Sequence, residues 1–342
     1  MKQLRFLIAR IDRIGDVVLS TPLPREIKKK YPDSYVAVLV MNYTKDIYLN
    51  NPNVDEIITY DNHDKTEKSF WELVSEIKLY KFSHAFMLLS NEKLNYVLFA
   101  AGIKYRVGVG HKLYQFLTFS KYVDRKKYIP LRHEADYCLD MVRKIGVNVN
   151  EIHPEIFLSE DEKITAGEIR KSLKGNNELL IGIHITSGNS SPNLSLKSYL
   201  ELIKILSSDK KLKVLITDFN PPDELQNLSN VEYIFKGETL RMDIVRFASL
   251  DLLISNSTGP MHICAALKVP TLSVFCPLTA CSVKLWGPLG NKSEILLPKQ
   301  NYCDNHCPID PKKCDYSKEG GITAQDVAER VYTAIKSWNN WK

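Results

Sequence analysis

The sequence predicts an α/β protein built from two Rossmann-like, doubly wound domains with parallel sheets. Two observations carry this prediction. Short apolar runs alternate with amphipathic segments along the whole chain, as in a parallel sheet whose strands are joined by helices. In each half, an apolar run also ends in a turn of small or polar residues that leads into a helix. The length of 342 residues is sufficient for two hydrophobic cores.

Composition and charge indicate an ordinary globular protein, with 44% hydrophobic and 25% charged residues. No apolar run approaches the roughly 20 residues of a membrane-spanning helix. Because the N-terminus also leads directly into a strand, we expect a cytoplasmic protein. The net charge is +6, and no helix-turn-helix, zinc-finger or aromatic-basic pattern indicates nucleic-acid binding. The basic runs 28–30 and 125–127 are either solvated faces or a surface for anionic lipid headgroups or a phosphorylated acceptor.

The first half shows the alternation clearly. Strands are predicted at residues 4–9, 35–40, 56–60, 84–89 and 106–109, and helices at 45–50, 66–79, 95–101 and 133–145, with a basic loop at 121–131. Gly15 marks a tight turn after the first strand, so Asp16 falls in the first turn of a helix at the carboxyl edge of that strand. Asp16 is either a helix-capping carboxylate or a carboxylate at the mouth of a cleft, positioned to take a proton.

The polar, turn-rich stretch 146–154 is typical of a linker, so we place the domains at residues 1–150 and 151–342. In the second half, strands are predicted at 179–185, 213–217, 252–254 and 271–275, and helices at 161–173, 196–206 and 241–250. A capping-box pattern at Thr323 and Asp326 begins the last helix, which carries an amphipathic stripe. We interpret this stripe as core packing, in its own domain or back on the first one.

The turn after strand 252–254 has the features of a phosphate-binding turn. Ser257, Thr258, Gly259 and Pro260 lead into a helix, where free backbone N–H groups and the helix dipole favour an anion such as a diphosphate. Gly259 allows close approach because it has no Cβ, and Pro260 stands where a helix can spare an N–H. The alternative is an ordinary capped helix start. A second such turn follows strand 179–185, and the two turns together could hold a diphosphate from both sides.

Cysteine spacing gives a weaker signal. Four of the seven cysteines are scattered, which suits a reducing compartment. Cys303, Cys307 and Cys314, with His306 between them, could form a metal knuckle, but their spacing does not match the paired C-x2-C arrangement of common zinc sites. We therefore predict no metal site.

Several motifs resemble those of glycosyltransferase family nine, the heptosyltransferases of lipopolysaccharide core assembly. The N-terminal motifs are Arg10-x4-Gly15-Asp16 with Thr21-Pro22-Leu23, Ala101-Gly102-Ile103 with Arg106-Val107-Gly108, and His133-Glu134 followed by Ile145-Gly146. The C-terminal signature is Ser257-Thr258-Gly259-Pro260-Met261-His262-x2-Ala265-Ala266-Leu267-x-Val269-Pro270, continuing to Phe275-x-Pro277. A cysteine stretch before an Ile-Thr-x-x-Asp-Val helix, here 303–314, also occurs in many members.

The resemblance implies a GT-B fold, with two Rossmann-like domains facing across a cleft. It also implies an inverting, metal-independent transfer without a cofactor. The donor would be a nucleoside-diphosphate sugar, an ADP-linked heptose, bound by the C-terminal domain. The acceptor, a lipopolysaccharide core or another cell-envelope saccharide, would lie on the N-terminal domain, and the protein would contact the cytoplasmic face of the inner membrane peripherally.

The resemblance also implies roles for individual residues. Asp16 would be the general base that deprotonates the acceptor hydroxyl. Residues of the two turns would hold the donor diphosphate: Ser257, Thr258, Gly259 and Pro260 with His262 beside them, and Ser187 and Gly188 from the other turn. Asp223 or Glu224 falls where the family places a carboxylate on the ribose.

Two positions depart from the family pattern. Ser257 stands where the family usually has Asp, and residues 191–195 lack the basic residue and the Trp-Pro pair that commonly follow the first phosphate turn. A cation for the leaving group would then come from Lys197, Arg10 or Arg13. The alternative functions are a non-catalytic nucleotide-sugar or saccharide-binding protein on the same fold and, less well supported, an epimerase or phosphorylase.

Overall fold

The computed structural model describes residues 3–125, 128–175, 179–308, 310 and 313–338. It divides the chain into two compact units, Met1–Phe157 and Leu158–Lys342. Lys126 and Lys127 of the predicted basic run lie outside the described residues.

The described part of the first unit contains one sheet of six parallel strands. They are β1 (Arg5–Ala9), β2 (Tyr35–Val40), β3 (Glu56–Thr59), β4 (His84–Met87), β5 (Tyr105–Val109) and β6 (Lys121–Val123). Their order is β3-β2-β1-β4-β5-β6, the doubly wound order of a Rossmann domain. The helices are α1 (Ile14–Val18), α2 (Pro22–Lys30), α3 (Phe70–Leu79), α4 (Glu92–Ala100), α5 (Leu113–Leu117), α6 (Glu134–Cys138) and α7 (Asp140–Arg143).

The described part of the second unit repeats this arrangement. Its strands are β7 (Leu179–Ile183), β8 (Leu212–Ile216), β9 (Val231–Glu232), β10 (Leu252–Asn256), β11 (Thr271–Val274) and β12 (Ser293–Leu296). The order β12-β11-β10-β7-β8-β9 is the same doubly wound order. The helices are α8 (Glu160–Leu173), α9 (Leu196–Ser207), α10 (Leu240–Ala248), α11 (Gly259–Ala266), α12 (Val283–Trp286), α13 (Tyr302–His306) and α14 (Ala324–Ser337). The predicted α/β class with two Rossmann-like domains is confirmed.

The central strands are mostly apolar because helices cover both faces of each sheet. In β1 the last four residues are buried, and in β10 all five are. The apolar stripe of α14 packs into the core of the second unit, where Val327, Val331 and Ala334 are fully buried. The stripe therefore supports the domain that contains it.

The structure differs from the sequence prediction where elements are short or polar. The strands β6, β9 and β12 have two to four residues and carry few buried side chains, so their patterns are too weak to indicate a strand. The helix predicted at 133–145 is divided into α6 and α7, which meet at Leu139. Helix α2 begins at Pro22 itself, because proline is well tolerated in the first turn of a helix.

The stretch predicted as a linker belongs to the first unit, which extends to Phe157. The Arg25 guanidinium donates to the carbonyl oxygens of Glu151 and His153, at 3.0 and 3.1 Å, and to the Glu155 carboxylate at 2.7 Å. The Thr21 hydroxyl also accepts a hydrogen bond from the Glu155 backbone N–H. These bonds fasten the stretch to the start of α2, so the predicted boundary at residue 150 falls inside the first unit.

The basic run at the end of α2 is engaged within the protein. Lys28 pairs with Asp55 at 2.8 Å, Lys29 pairs with Glu26 at 2.8 Å, and Lys30 donates to the Gly146 carbonyl oxygen at 2.5 Å. This favours the solvated-face interpretation of that run. Within the described residues, the helices are all too short or too polar to cross a bilayer.

Candidate active site

Asp16 lies at the switch point of the first sheet. Strands β1 and β4 are neighbours at the centre of this sheet, and the chain leaves them toward opposite sides. A crevice at the carboxyl ends of two such strands is the usual ligand site of a doubly wound domain. Asp16 stands in α1, directly after β1, and its side chain is 20% exposed. The Asp16 carboxylate is thus both paired within the protein and accessible to solvent.

Arg10 connects Asp16 to a second carboxylate. The Arg10 Nη2 donates to Asp16 Oδ1 at 2.5 Å, and its Nε donates to Asp12 Oδ1 at 2.8 Å. Arg10 is almost completely buried, whereas both aspartates are partly exposed. A planar guanidinium offers donors in a fixed geometry, so Arg10 sets the relative positions of the two carboxylates.

A buried glutamate holds Arg10 from the other side. The Arg10 Nη1 donates to Glu134 Oε1 at 3.3 Å and to the Leu88 carbonyl oxygen at 3.1 Å. Glu134 is fully buried, and both of its oxygens also accept from Arg125 Nη1, at 2.8 and 2.7 Å. Burial opposes the charge on Arg10, but the nearby carboxylates outweigh burial and raise its pKa. Arg10 therefore carries its charge at any accessible pH.

Asp12 responds to this environment differently. Burial, together with the charge of Asp16, raises the pKa of Asp12 to about 6, although Arg10 acts in the opposite direction. The Asp12 carbonyl oxygen also accepts a hydrogen bond from the Tyr43 hydroxyl at 2.8 Å. Asp12 was not among the residues singled out in the sequence, although an acidic residue four positions before Asp16 was a visible signal.

The two predicted phosphate turns meet in the second unit. They follow β7 and β10, which are neighbours at the switch point of that sheet. The hydroxyls of Ser190 and Ser191 both donate to the Ser257 carbonyl oxygen, at 2.9 and 3.0 Å. One step before Ser257, the Asn256 Nδ2 donates to Asn193 Oδ1 at 2.9 Å. The structure thus brings the turns together, as the sequence analysis required for a shared diphosphate site.

Helix α11 begins immediately after the second turn. Thr258 is its N-cap residue, and Pro260 lies in its first turn. Within the described residues, the Thr258 hydroxyl accepts no capping hydrogen bond from the first turn, so the backbone N–H groups there are not used by the cap. Gly259 and Pro260 are partly exposed, whereas the side chains of Thr258 and His262 are more than nine-tenths buried. An anion at this helix end would therefore meet mainly backbone.

Ser187 and Gly188 shape the first turn in different ways. The Ser187 hydroxyl is buried and donates to the Ser191 carbonyl oxygen at 2.7 Å, so it stabilises the turn itself. Gly188 is exposed and has φ of +55°, a backbone conformation that glycine adopts without strain. A Cβ at Gly188 would meet no atom within 4 Å, so the backbone conformation, not space, favours glycine there.

Asp218 is a buried carboxylate that the sequence analysis missed. It follows β8, and it accepts hydrogen bonds from the backbone N–H groups of Ile185 and Thr186, at 2.7 and 3.0 Å, and from the Thr186 hydroxyl at 2.6 Å. Asp218 thereby fixes the chain just before Ser187. The partly buried ring of His184 lies 3.5 Å from the same carboxylate, and burial lowers the pKa of this histidine. The signal in the sequence was an acidic residue directly after an apolar strand.

The remaining predicted residues lie at the surface or are already engaged. Asp223 and Glu224 are exposed in a short 3-10 helix after β8, and Asp223 accepts a hydrogen bond from Gln226 at 3.1 Å. Lys197 and Arg13 are exposed and stay candidates for the leaving-group cation. Arg10 is not a candidate for this cation, because it is buried among the carboxylates of the first unit.

The cysteines 303, 307 and 314 gather in the second unit, where they line a small recess together with Cys276 and Pro192. In the part of the chain that the structure describes, no three side chains of His, Cys, Asp or Glu are arranged to hold a metal ion. A hydrogen bond with Cys276 lowers the pKa of the neighbouring Cys281 thiol to about 7, although burial acts against this shift.

Comparisons with known proteins show which family this chain is similar to. Residues 238–312, which include α11 and the turn before it, match the family model of glycosyltransferase family 9 (heptosyltransferase). A Haemophilus influenzae protein, provisionally named a glycosyltransferase, is 30% identical over 304 residues, which cover 84% of this chain and 86% of that protein. Lipopolysaccharide heptosyltransferase 2 of Escherichia coli is 24% identical over 314 residues, which cover 86% of this chain and 88% of that protein.

A solved structure shows the same fold. The ADP-heptose lipopolysaccharide heptosyltransferase II of Escherichia coli superposes with a TM-score of 0.75 at 18% identity, covering 98% of this chain and all of that one. The similarity therefore extends over both units.

Proposed function

Since this chain belongs to glycosyltransferase family 9, we propose that it transfers a heptose from an ADP-linked donor to the lipopolysaccharide core or to another cell-envelope saccharide. The similarity to Escherichia coli proteins named for lipopolysaccharide and for ADP-heptose supports these substrates. The donor binds at the paired turns of the second unit, and the acceptor binds at the Asp16 edge of the first unit. A lipid-linked acceptor places the enzyme at the cytoplasmic face of the inner membrane as a peripheral protein.

The transfer is a single displacement that inverts the anomeric configuration. An acceptor hydroxyl oxygen attacks the anomeric carbon of the heptose while the bond from that carbon to the diphosphate oxygen breaks. The proton of the hydroxyl passes to a carboxylate oxygen of Asp16, and ADP leaves. General base catalysis of this kind contributes about 10² to 10⁴ in rate. Arg10 orients the Asp16 carboxylate through the 2.5 Å hydrogen bond.

The leaving diphosphate gains negative charge as the bond breaks. Backbone N–H groups in the first turn of α11 and the positive end of its dipole stabilise that charge without a metal ion. Gly188 and the backbone of the first turn approach the diphosphate from the other side, and Lys197 or Arg13 supplies a cation. Asp223 or Glu224 binds the ribose. Ser187 and His262 act through the shape of the site, because both side chains are buried.

The observation that carries this proposal is the position of Asp16, which is held by a buried arginine yet is partly exposed at the carboxyl edge of the first sheet. We expect Asp16→Asn to lower kcat for heptose transfer by at least about a hundredfold, with ADP affinity measured by calorimetry unchanged within a few fold. Asp33→Asn, an exposed aspartate of the same unit, is the matched control. Normal turnover by Asp16→Asn, or donor isomerisation without an acceptor, would contradict the mechanism.

A further inference from the structure

The outer face of α5 and Phe119, two residues beyond its end, carry an unusual set of exposed side chains. Leu113, Phe116, Leu117 and Phe119 are 74, 78, 54 and 86% exposed. The first three have the i, i+3, i+4 spacing of one helix face. Single exposed apolar residues are normal, but four large ones within seven residues form a patch of the kind that marks a binding surface. We call these four residues the α5 surface.

The inner face of α5 is mostly polar, although Tyr114 packs against the core of the unit, so the helix is largely reversed relative to an ordinary surface helix. Gln115 and Thr118 are buried. The Asn95 Nδ2 of α4 donates to the Tyr114 carbonyl oxygen at 3.2 Å and to Thr118 Oγ1 at 2.9 Å. Hydrogen bonds therefore attach α5 to the unit, and the apolar side chains contribute little to its folded stability. Their outward direction requires another explanation.

The backbone at Phe119 supports the same conclusion. Its φ is +55°, a left-handed conformation that is a genuine outlier for a bulky side chain. Asparagine and glycine are the residues that adopt this conformation readily. The Phe119 ring is also the most exposed of the four side chains, so core packing does not account for it. An aromatic residue kept at an unfavourable and exposed position indicates a function outside the folded unit.

The charge around the α5 surface favours one kind of partner. Between Glu92 and Asp124 the chain contains no acidic residue and five basic ones, namely Lys93, Lys104, Arg106, Lys112 and Lys121. Lys104, Lys112 and Lys121 are exposed. Apolar and aromatic side chains flanked by lysines are the composition that enters the headgroup layer of an anionic bilayer.

The connection that leads into α5 starts at the same edge of the first sheet as the connection that carries Asp16. Helix α5 begins after β5 ends, and β5 is parallel to β1 in the same sheet. Both connections therefore start at the carboxyl edge of the first sheet, where Asp16 stands. A bilayer that touches α5 would present a lipid-linked saccharide at the edge that carries Asp16.

We propose that the α5 surface docks the enzyme on an anionic bilayer, with Phe116 and Phe119 inserted at the headgroup level and the neighbouring lysines facing the lipid phosphates. This inference rests on the proposed function, because a lipid-linked acceptor gives the docking its purpose. Vesicle binding itself requires neither a donor nor an acceptor, so the two proposals can fail separately.

The test is co-sedimentation of the full chain with vesicles of phosphatidylethanolamine and phosphatidylglycerol, compared with vesicles of phosphatidylcholine alone. We expect binding to the anionic vesicles that weakens as salt is added. In the double variant Phe116→Ser/Phe119→Asn, the apparent affinity falls by at least about tenfold. Its melting temperature is not lowered, since asparagine suits the backbone at position 119. Trp71→Ser/Leu79→Ser, which removes two exposed apolar side chains of α3, is the matched control and binds like the unchanged chain.

Three results would overturn the proposal. The unchanged chain could fail to bind anionic vesicles, or the double variant could bind them as well as the control does. Light scattering could instead show a dimer that the double variant dissociates, with vesicle binding unaffected, which would identify the α5 surface as a contact between two copies of the chain. Transfer to a delipidated, soluble acceptor separates the proposals further. The double variant should transfer to this acceptor as fast as the unchanged chain does. If the unchanged chain itself shows no transfer to this acceptor, the proposed function is contradicted and the docking proposal is not.

Discussion

The Nη2 atom of Arg10 lies 2.5 Å from Oδ1 of Asp16, and the arginine is buried while the aspartate is partly exposed. Within the described residues, the side chain that hydrogen-bonds to the Asp16 carboxylate is that of Arg10, so the orientation of Asp16 depends on this guanidinium. A base that is fixed before the substrate arrives needs less reorganisation in the transition state. Arg10 is thus a positioning residue for the proposed base.

Replacing Arg10 by Gln should lower kcat for transfer by about ten- to a hundredfold and leave the KM for the donor nearly unchanged, because the nucleotide binds in the other unit. Steady-state kinetics with varied donor and varied acceptor measure this division. The double variant Arg10→Gln/Asp16→Asn should be no slower than Asp16→Asn, since the two residues act as one group. Additive losses would show that Arg10 acts independently of Asp16.

Glu134 should be important for stability. Its fully buried carboxylate balances the charges of Arg10 and Arg125. Glu134→Gln leaves those charges without their buried partner, so the free energy of unfolding should fall by about 3 to 5 kcal/mol. Urea unfolding followed by circular dichroism measures the change. Glu92→Gln, at an exposed position in the first turn of α4, should change stability by less than about 1 kcal/mol. Equal effects of the two substitutions would refute this account.

Asp218 should control donor affinity through the first turn of the second unit. Asp218→Asn replaces a charged acceptor of three hydrogen bonds from Ile185 and Thr186 by a neutral amide. Hydrogen bonds to a charged group contribute about 1.5 to 3 kcal/mol, so ADP should bind about ten- to a hundredfold more weakly. The KM for the acceptor should not change. Calorimetry with ADP tests this, with Asp161→Asn, an exposed aspartate of the same unit, as the control.

Asp12 should make stability depend on pH. Burial raises its pKa from the ordinary 3.8 to about 6 in the folded protein. Below about pH 4 the folded and unfolded chains both hold the proton, and the contribution of Asp12 to stability is complete. The folded chain binds the Asp12 proton more tightly than the unfolded chain does. As the pH rises through 6 the folded chain also loses this proton, so the contribution of Asp12 to stability is lost.

The stability of the unchanged chain relative to Asp12→Asn should therefore fall by on the order of 2 kcal/mol between about pH 4 and pH 7. Chemical unfolding of both proteins at several pH values gives this difference. A difference that stays constant or rises over that range would exclude a raised pKa for Asp12.

The sequence predicts those parts of the site that are encoded locally. The apolar run ending at Asn256 and the Gly259-Pro260 pair after it indicate a strand, a turn and a helix start, because each signal lies within a few residues. The position of Asp16 after the first strand follows for the same reason. Such patterns also suffice for the fold class, since both units repeat them.

Features that depend on distant contacts could not be predicted. No local pattern indicates that Glu134 meets Arg10, because the two residues are 124 positions apart. Asp218 resembles a solvated residue after a strand until its contacts with the turn after β7 are known. Helix α5 could not be predicted from hydrophobic periodicity, because polar residues face inward and apolar residues face solvent, the reverse of the usual pattern.

The pairing of Arg10 with Glu134 also bears on how the protein is made. During synthesis, the cation that orients Asp16 leaves the ribosome long before the glutamate that balances it. Until α6 has emerged and packed, Arg10 has its local partners Asp12 and Asp16 but lacks the fully buried carboxylate of Glu134. The network around the proposed base is therefore completed only when the last helices of the first unit arrive, and a fragment that ends before residue 134 would lack one of the three carboxylates that pair with Arg10.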